Sequence, residues 1–118
     1  KQGLDCGGID IDVNTAPYVD VVNDLNNTHV DVLYMDYKKL PKAAFGEIDL
    51  ILGCDICYWE DHIENIVNLT KRAKCPVLIA DPGRDTFWEL TKKVKGNLHD
   101  LTLTKPRAVH GYVYEILK

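Results

Sequence analysis

Residues Glu47–Trp59 read EIDLILGCDICYW, and the rest of the chain is interpreted outward from them. The run Leu50–Leu52 is continuously apolar, which is typical of a strand covered on both faces. It therefore predicts a central strand of a parallel sheet. Asp55 follows the small residue Gly53 at the point where this strand would end. Because α/β proteins bind their ligands at the carboxyl ends of parallel strands, we expect a site near Asp55.

Composition predicts one globular α/β domain over residues 1–118, since 46% of the residues are hydrophobic and 27% are charged. A net charge of -4 gives no general attraction to nucleic acid or to an anionic membrane surface. No apolar run approaches the roughly 20 residues that a membrane span requires. The first residues do not resemble a signal peptide, so we expect a cytoplasmic protein.

Four cysteines raise the question of metal or redox chemistry, because Cys54 and Cys57 form a C-x-x-C pair. A zinc site needs about four ligands, and the sequence has no second pair of this kind to complete one. Asp55 stands between the two thiols, where its charge would raise a thiol pKa. We therefore predict reduced, buried cysteines and no metal site.

Strands and helices alternate along the predicted chain, and four successive predicted strands end on carboxylates. These are Asp10, Asp36, Asp55 and Asp81. Between the strands, three helices are predicted from apolar residues at helical spacing, the first with Tyr18, Val21, Val22 and Leu25 on one face and the last capped by Asp85. Alternation of this kind predicts parallel strands whose acids share one edge of the sheet.

The end of the chain has a different pattern. Residues 98–104 and 109–117 alternate apolar and polar side chains, and a short segment containing Pro106 joins them. This pattern predicts an antiparallel hairpin at the edge of the sheet.

A row of carboxylates at one edge suits hydroxyl, amine or cationic groups of a ligand. Mutual repulsion makes such a row a poor choice for stability alone. The alternative is that each aspartate simply caps the segment that follows it. Four aspartates at successive strand ends favour the interpretation that they bind a ligand.

The quoted motifs, taken in order, resemble those of one enzyme family. They are GIDID at Gly8–Asp12, DY at Asp36–Tyr37, DLILGCDICY at Asp49–Tyr58 and IADPGR at Ile79–Arg84, followed by the hairpin. This order is similar to that of class I, seven-stranded S-adenosylmethionine-dependent methyltransferases, in the branch containing small protein lysine methyltransferases. The resemblance implies a Rossmann-like, mostly parallel sheet that closes with the antiparallel hairpin.

The resemblance also implies a cofactor site for S-adenosylmethionine. Asp10 would accept hydrogen bonds from the ribose hydroxyls, and Ile11 would pack on the adenine face. Asp36 would accept a hydrogen bond from the adenine amino group, with the backbone of Tyr37 beside it. Asp55 would lie toward the methionine end of the cofactor.

The methyl acceptor implied by the resemblance is a protein or a small amine. Tyr58 and Trp59 would line its opening, although Trp59 also continues the apolar stripe of the following helix and could belong to the core. Methyl transfer is an in-line displacement that needs alignment and exclusion of water. No catalytic base is identified, since His62 and His110 are candidates by residue type alone.

One departure from the family is large. Its members begin with a strand and a glycine-rich turn into a helix, and Gly7-Gly8 is not that turn because it precedes a carboxylate strand directly. The absent strand belongs between the strands that end at Asp10 and Asp55. Three outcomes follow: the chain is the last two thirds of a longer domain, which we favour, or a second chain supplies the strand, or the two exposed edges pair with each other.

Two other functions remain open. A catalytically silent methyltransferase-like module would bind a protein through Tyr58, Trp59 and the hairpin. A flavodoxin-like or response-regulator-like domain would hold magnesium on its strand-end acids, although such folds finish with a helix.

Overall fold

Six strands and three α-helices alternate along residues 3–118, the part of the chain that this computed structural model describes. The chain divides into two compact units, the first ending at Leu40 and the second covering Pro41–Lys118. In chain order the elements are β1 (Gly7–Asp10), α1 (Ala16–Asn26), β2 (Asp31–Tyr34), β3 (Ile51–Cys54), α2 (Glu60–Arg72), β4 (Val77–Asp81), α3 (Asp85–Lys93), β5 (Asn97–Leu103) and β6 (Val109–Ile116). The predicted α/β class is therefore correct.

In the first unit, β1 and β2 form a two-stranded parallel sheet that α1 connects. Pro17 lies in the first turn of α1, where its missing N–H costs no hydrogen bond, and Asn27 ends the helix with a left-handed φ of 50°. The predicted apolar face of α1 lies exposed, with Tyr18 at 74% and Leu25 at 81%. The helical spacing of the apolar residues identified this face, but spacing does not show which element covers it.

In the second unit, the strand order is β3-β4-β6-β5. β3 and β4 are parallel, while β6 is antiparallel to both β4 and β5. The predicted hairpin is confirmed, and β5 lies at the sheet edge as expected.

The prediction that β3 is a central, covered strand is wrong for the part of the chain described. β4 is its only strand partner there, and Leu52 is 64% exposed. β1 likewise pairs with β2 alone among these residues, so the third of the outcomes left open, in which the two exposed edges pair with each other, is not found there. The apolar run of β3 predicted that both faces of this strand are covered, and the described residues do not cover Leu52.

The core of the second unit lies on one face of its sheet. Val77 and Ile79 of β4 are fully buried and stand beside Ile116 and Tyr114 of β6. Tyr114 donates its hydroxyl to the carbonyl of Val94 at 2.6 Å, just past the end of α3. Alternate residues of these strands therefore carry the core, as the two-residue period of a strand requires. Within residues 3–118, no helix has the length and apolarity to cross a membrane.

Candidate functional site

Asp10 and Asp36 lie at the same end of two neighbouring parallel strands in the first unit. Asp10 is the last residue of β1 and stands beside Tyr34, the last residue of β2. The N–H of Met35 donates to the carbonyl of Asp10 at 2.9 Å, and Asp36 is the next residue. Strand pairing thus brings together two of the acids that the sequence analysis singled out.

The Asp10 carboxylate is held by the turn that follows β1. Oδ1 accepts the N–H of Asp12 at 2.9 Å, and Oδ2 accepts the hydroxyl of Thr15 at 3.2 Å. These two bonds fix the carboxyl plane. Each carboxylate oxygen has about two lone pairs, so both retain capacity for a further donor.

Asp36 is fixed in the same way at the end of β2. Its Oδ1 accepts the N–H of Lys38 at 2.9 Å, and Oδ2 lies 3.3 Å from Nζ of Lys38. The bond from the Lys38 backbone, more than any other cause, holds the pKa of Asp36 below its ordinary value. Asp36 is therefore an ionised acceptor at neutral pH.

These groups fit the nucleoside part of S-adenosylmethionine by their chemistry. Asp10 offers two oxygens of the kind that a ribose diol needs. Ile11 follows it with 74% of its surface exposed, which leaves an apolar face free for a planar base. Asp36 and the adjoining Tyr37 provide a polar end for that base. The local hydrogen bonds of both acids also match the alternative, in which each aspartate caps the segment that follows it.

Asp55 marks the end of β3 in the second unit. Its φ of 62° is left-handed, a conformation that non-glycine residues adopt rarely and that concentrates at functional sites and tight turns. Its N–H bonds to the carbonyl of Ala80 at 2.9 Å, which ties it to β4. The side chain is 64% exposed and forms an ion pair with Arg84.

Asp81 is the buried counterpart of Asp55. It ends β4, and its Oδ1 accepts the backbone N–H groups of Gly83 at 2.8 Å and Arg84 at 2.9 Å. Asp81 therefore shapes the turn into α3, and the predicted cap by Asp85 is wrong, because Asp85 already lies in the first turn of that helix. Asp81 has too few exposed atoms to contact a ligand.

Arg84 links these two acids and an aromatic ring. Nη1 contacts both Asp55 and Asp81, and Cζ lies 4.9 Å from the centroid of the Tyr58 ring. The hydrogen bond to Asp55, followed by the one to Asp81, raises the pKa of Arg84. The sequence analysis quoted Arg84 in a motif but gave it no role. The sequence feature that could have identified its role is the position of an arginine three residues after Asp81, an acid at the end of a strand.

Tyr58 and Trp59 lie together on the surface of the second unit. Their ring centroids are 5.1 Å apart with planes inclined by 67°, and they are 56% and 62% exposed. Trp59 precedes the first residue of α2 and does not pack with the apolar stripe of that helix, so the core alternative for it is wrong. Both rings are therefore accessible from solvent.

The cysteine prediction is correct for two residues and wrong for two. All four thiols are free, but only Cys57 and Cys75 are buried, whereas Cys6 and Cys54 are exposed. Burial, and then the charge of Asp81, raises the pKa of Cys57 to about 11. Residues 3–118 contain no group of three or more histidine, cysteine or acidic side chains arranged to hold a metal ion.

Comparison with known proteins adds no family assignment. No model of a protein family and no curated protein matches the chain. The case for a function therefore depends on the strand ends described above.

Proposed function

We propose that this chain is part of an S-adenosylmethionine-dependent methyltransferase that acts on a protein lysine or another amine. The observation that carries the proposal is the position of Asp10 and Asp36 at one end of two paired parallel strands. A ribose diol and an adenine amino group each need a hydrogen-bond acceptor, and these two carboxylates offer one each.

Strand order supports the same proposal. The family sheet runs third strand, second, first, fourth, fifth, seventh and sixth. Without its first strand, two blocks remain, and they have the order of the two sheets found here, β2-β1 and β3-β4-β6-β5. The antiparallel pairing of β6 with both β4 and β5 also matches the family pattern. We therefore propose that the complete domain has a Rossmann-like sheet.

When bound, S-adenosylmethionine supplies an electrophilic methyl group on a sulfonium. Asp10 binds the nucleoside by accepting hydrogen bonds from its ribose hydroxyls, and Asp36 by accepting a hydrogen bond from its adenine amino group. The exposed Tyr58 and Trp59 contact the acceptor amine, and no residue is assigned as the base that takes its proton.

Part of the cofactor site has no counterpart in the described residues. The family contacts the amino acid part of the cofactor with a glycine-rich turn, and no turn of that kind follows a strand ahead of β1. We propose that an upstream segment or a second chain supplies this strand and turn. The 118-residue chain should therefore bind adenosine and S-adenosylhomocysteine, the product left by the cofactor, with similar and weak affinity.

Calorimetric titration of the chain with S-adenosylhomocysteine and with adenosine tests this function. We expect binding at millimolar ligand, weakened about tenfold in Asp10→Asn and in Asp36→Asn, both of which keep an oxygen to accept the local backbone N–H. Asp31→Asn is the matched control, because Asp31 is an exposed acid at the start of β2. Absence of binding to the unmodified chain at millimolar ligand would favour the catalytically silent module.

A further inference from the structure

Arg84 contacts Asp55 and Asp81 through a single guanidinium nitrogen. Nη1 donates to Oδ1 of Asp55 and to Oδ2 of Asp81. A guanidinium has five N–H donors, and three of them belong to the edge formed by Nε and Nη2. Among residues 3–118, no acceptor bonds to that edge of Arg84. Its planar fork can therefore bind a carboxylate through two parallel hydrogen bonds.

A buried acid and an aromatic ring fix the position of this guanidinium. The Asp81 side chain is completely buried, and its Oδ2 lies 2.9 Å from Nη1 of Arg84. The Tyr58 ring centroid lies 4.9 Å from Cζ of Arg84. The arginine side chain still has 30% of its surface exposed. A ligand would therefore meet a side chain that is already ordered, which lowers the entropy cost of binding.

Asp55 presents a second, oppositely charged group beside this edge. Its Oδ1 accepts from Arg84, whereas Oδ2 has no hydrogen-bond partner in the part of the chain that the structure describes. The side chain is 64% exposed, and the bond from its N–H to the carbonyl of Ala80 holds the backbone in place. A carboxylate oxygen of this kind accepts hydrogen bonds from an ammonium. A guanidinium fork and a carboxylate oxygen thus lie next to each other on the surface.

We propose that Arg84 and Asp55 bind the zwitterion of an α-amino acid that has an apolar side chain. The Nε–Nη2 edge of Arg84 donates to the carboxylate, and Oδ2 of Asp55 accepts from the ammonium. These two charges of an α-amino acid are carried on one carbon atom, so they suit adjacent protein groups of opposite charge. The exposed Tyr58 ring offers its surface to the apolar side chain. This site goes beyond the proposed function and does not depend on it, because all three residues lie in the second unit.

The two charged contacts predict an order of affinities among small ligands. A hydrogen bond to a charged group changes affinity by about tenfold. L-leucine should therefore bind about tenfold more tightly than 4-methylpentanoate, which has the same side chain and carboxylate but no ammonium. It should likewise bind more tightly than 3-methylbutylamine, which has no carboxylate. Because the site is open to water, we expect binding of L-leucine at millimolar concentration.

Two-dimensional ¹H–¹⁵N spectra of the 118-residue chain test this site. Titration with L-leucine should shift the Nε–H signal of the Arg84 side chain, while the corresponding signals of Arg72 and Arg107 stay in place. Separate titrations with 4-methylpentanoate and 3-methylbutylamine give the affinities of the two analogues. An Arg84 signal that does not move at tens of millimolar L-leucine would overturn the proposal, and so would equal affinities for L-leucine and 4-methylpentanoate.

Two variants separate the roles of the two charges. Asp55→Asn, which suits a left-handed φ, should weaken L-leucine binding about tenfold and should not weaken 4-methylpentanoate binding. Arg84→Lys keeps the charge but not the fork, so it should weaken both ligands. Asp61→Asn and Arg107→Lys are matched controls at exposed positions and should change neither affinity. Circular dichroism checks that each variant folds. Equal weakening of both ligands by Asp55→Asn contradicts the proposal.

Discussion

Arg84 Nη1 lies 2.9 Å from Oδ2 of Asp81, whose side chain is completely buried. The same carboxylate accepts the backbone N–H groups of Gly83 and Arg84 through its other oxygen. One buried acid thus shapes the turn between β4 and α3 and orients the arginine that reaches Asp55. Both the shape of this turn and the orientation of Arg84 toward Asp55 therefore depend on Asp81.

Replacing Asp81 should therefore destabilise the protein more than replacing an exposed acid. Asp81→Ala leaves two backbone donors and the guanidinium without their acceptor, and we expect a loss of about 2 kcal/mol in the free energy of unfolding. Asp81→Asn keeps one acceptor oxygen and should lose less. Urea denaturation measures both. Asp49→Ala, at an exposed site ahead of β3, should change stability by less than about 0.5 kcal/mol, and an equal loss at both sites would be inconsistent with this role.

Gly83 occupies a position that other residues do not tolerate. Its φ is 103°, and a Cβ built on it would lie 2.8 Å from Cε2 of Tyr112. We expect Gly83→Ala to destabilise the protein by about 1–3 kcal/mol, because it adds backbone strain and a clash. Gly46→Ala, where a Cβ meets no atom within 4 Å, is the matched control and should be nearly neutral. Comparable urea midpoints for the two variants would refute the packing described for Gly83.

The two thiols of the C-x-x-C pair should differ in reactivity. Cys57 is buried with a pKa raised to about 11, so at mildly alkaline pH it remains protonated, and the thiolate is the reactive form. Iodoacetamide should label Cys54 and Cys6 first and leave Cys57 unmodified until the chain unfolds. Peptide mass spectrometry follows each site, and the urea-denatured chain is the control in which all four react. Equal rates at Cys54 and Cys57 would contradict the burial.

Local patterns in the sequence were sufficient to locate the strand ends and the hairpin. The acid that follows β2 and the acid that ends β4 occur where an apolar run stops, and that boundary depends on neighbouring residues alone. The hairpin followed from alternation on either side of Pro106. These features need no knowledge of the rest of the fold, which is why Asp10, Asp36, Asp55 and Asp81 all fall at strand ends.

Features that depend on tertiary contacts were not predictable. The apolar run of β3 predicted cover on both faces, but periodicity records only that Leu52 is apolar and not which element packs on it. Trp59 fitted a helical stripe by spacing, yet it lies one residue before the helix and outside the core. The contacts of Arg84 with Asp55 and Tyr58 join positions up to 29 residues apart. No local pattern encodes such a link.

The role assigned to Asp10 predicts a preference among nucleosides. A hydrogen bond to a charged acceptor contributes enough to change affinity by about tenfold, so 3′-deoxyadenosine should bind about tenfold more weakly than adenosine. In Asp10→Asn this difference should shrink, because the acceptor loses its charge. Competition titrations by ligand-observed NMR measure both ratios. A preference that is unchanged in Asp10→Asn would assign the ribose to another residue.

The proposed function predicts where on the chain a nucleoside binds. In a two-dimensional ¹H–¹⁵N spectrum titrated with adenosine, the amide signals of Ile11, Asp12, Tyr37 and Lys38 should shift together along one binding curve, while those of β5 stay in place. This result would put the ligand on the two acids that end β1 and follow β2. If millimolar adenosine shifts none of these four amides, or shifts only residues of the second unit, the account of this chain as a nucleoside-binding part of a methyltransferase is wrong.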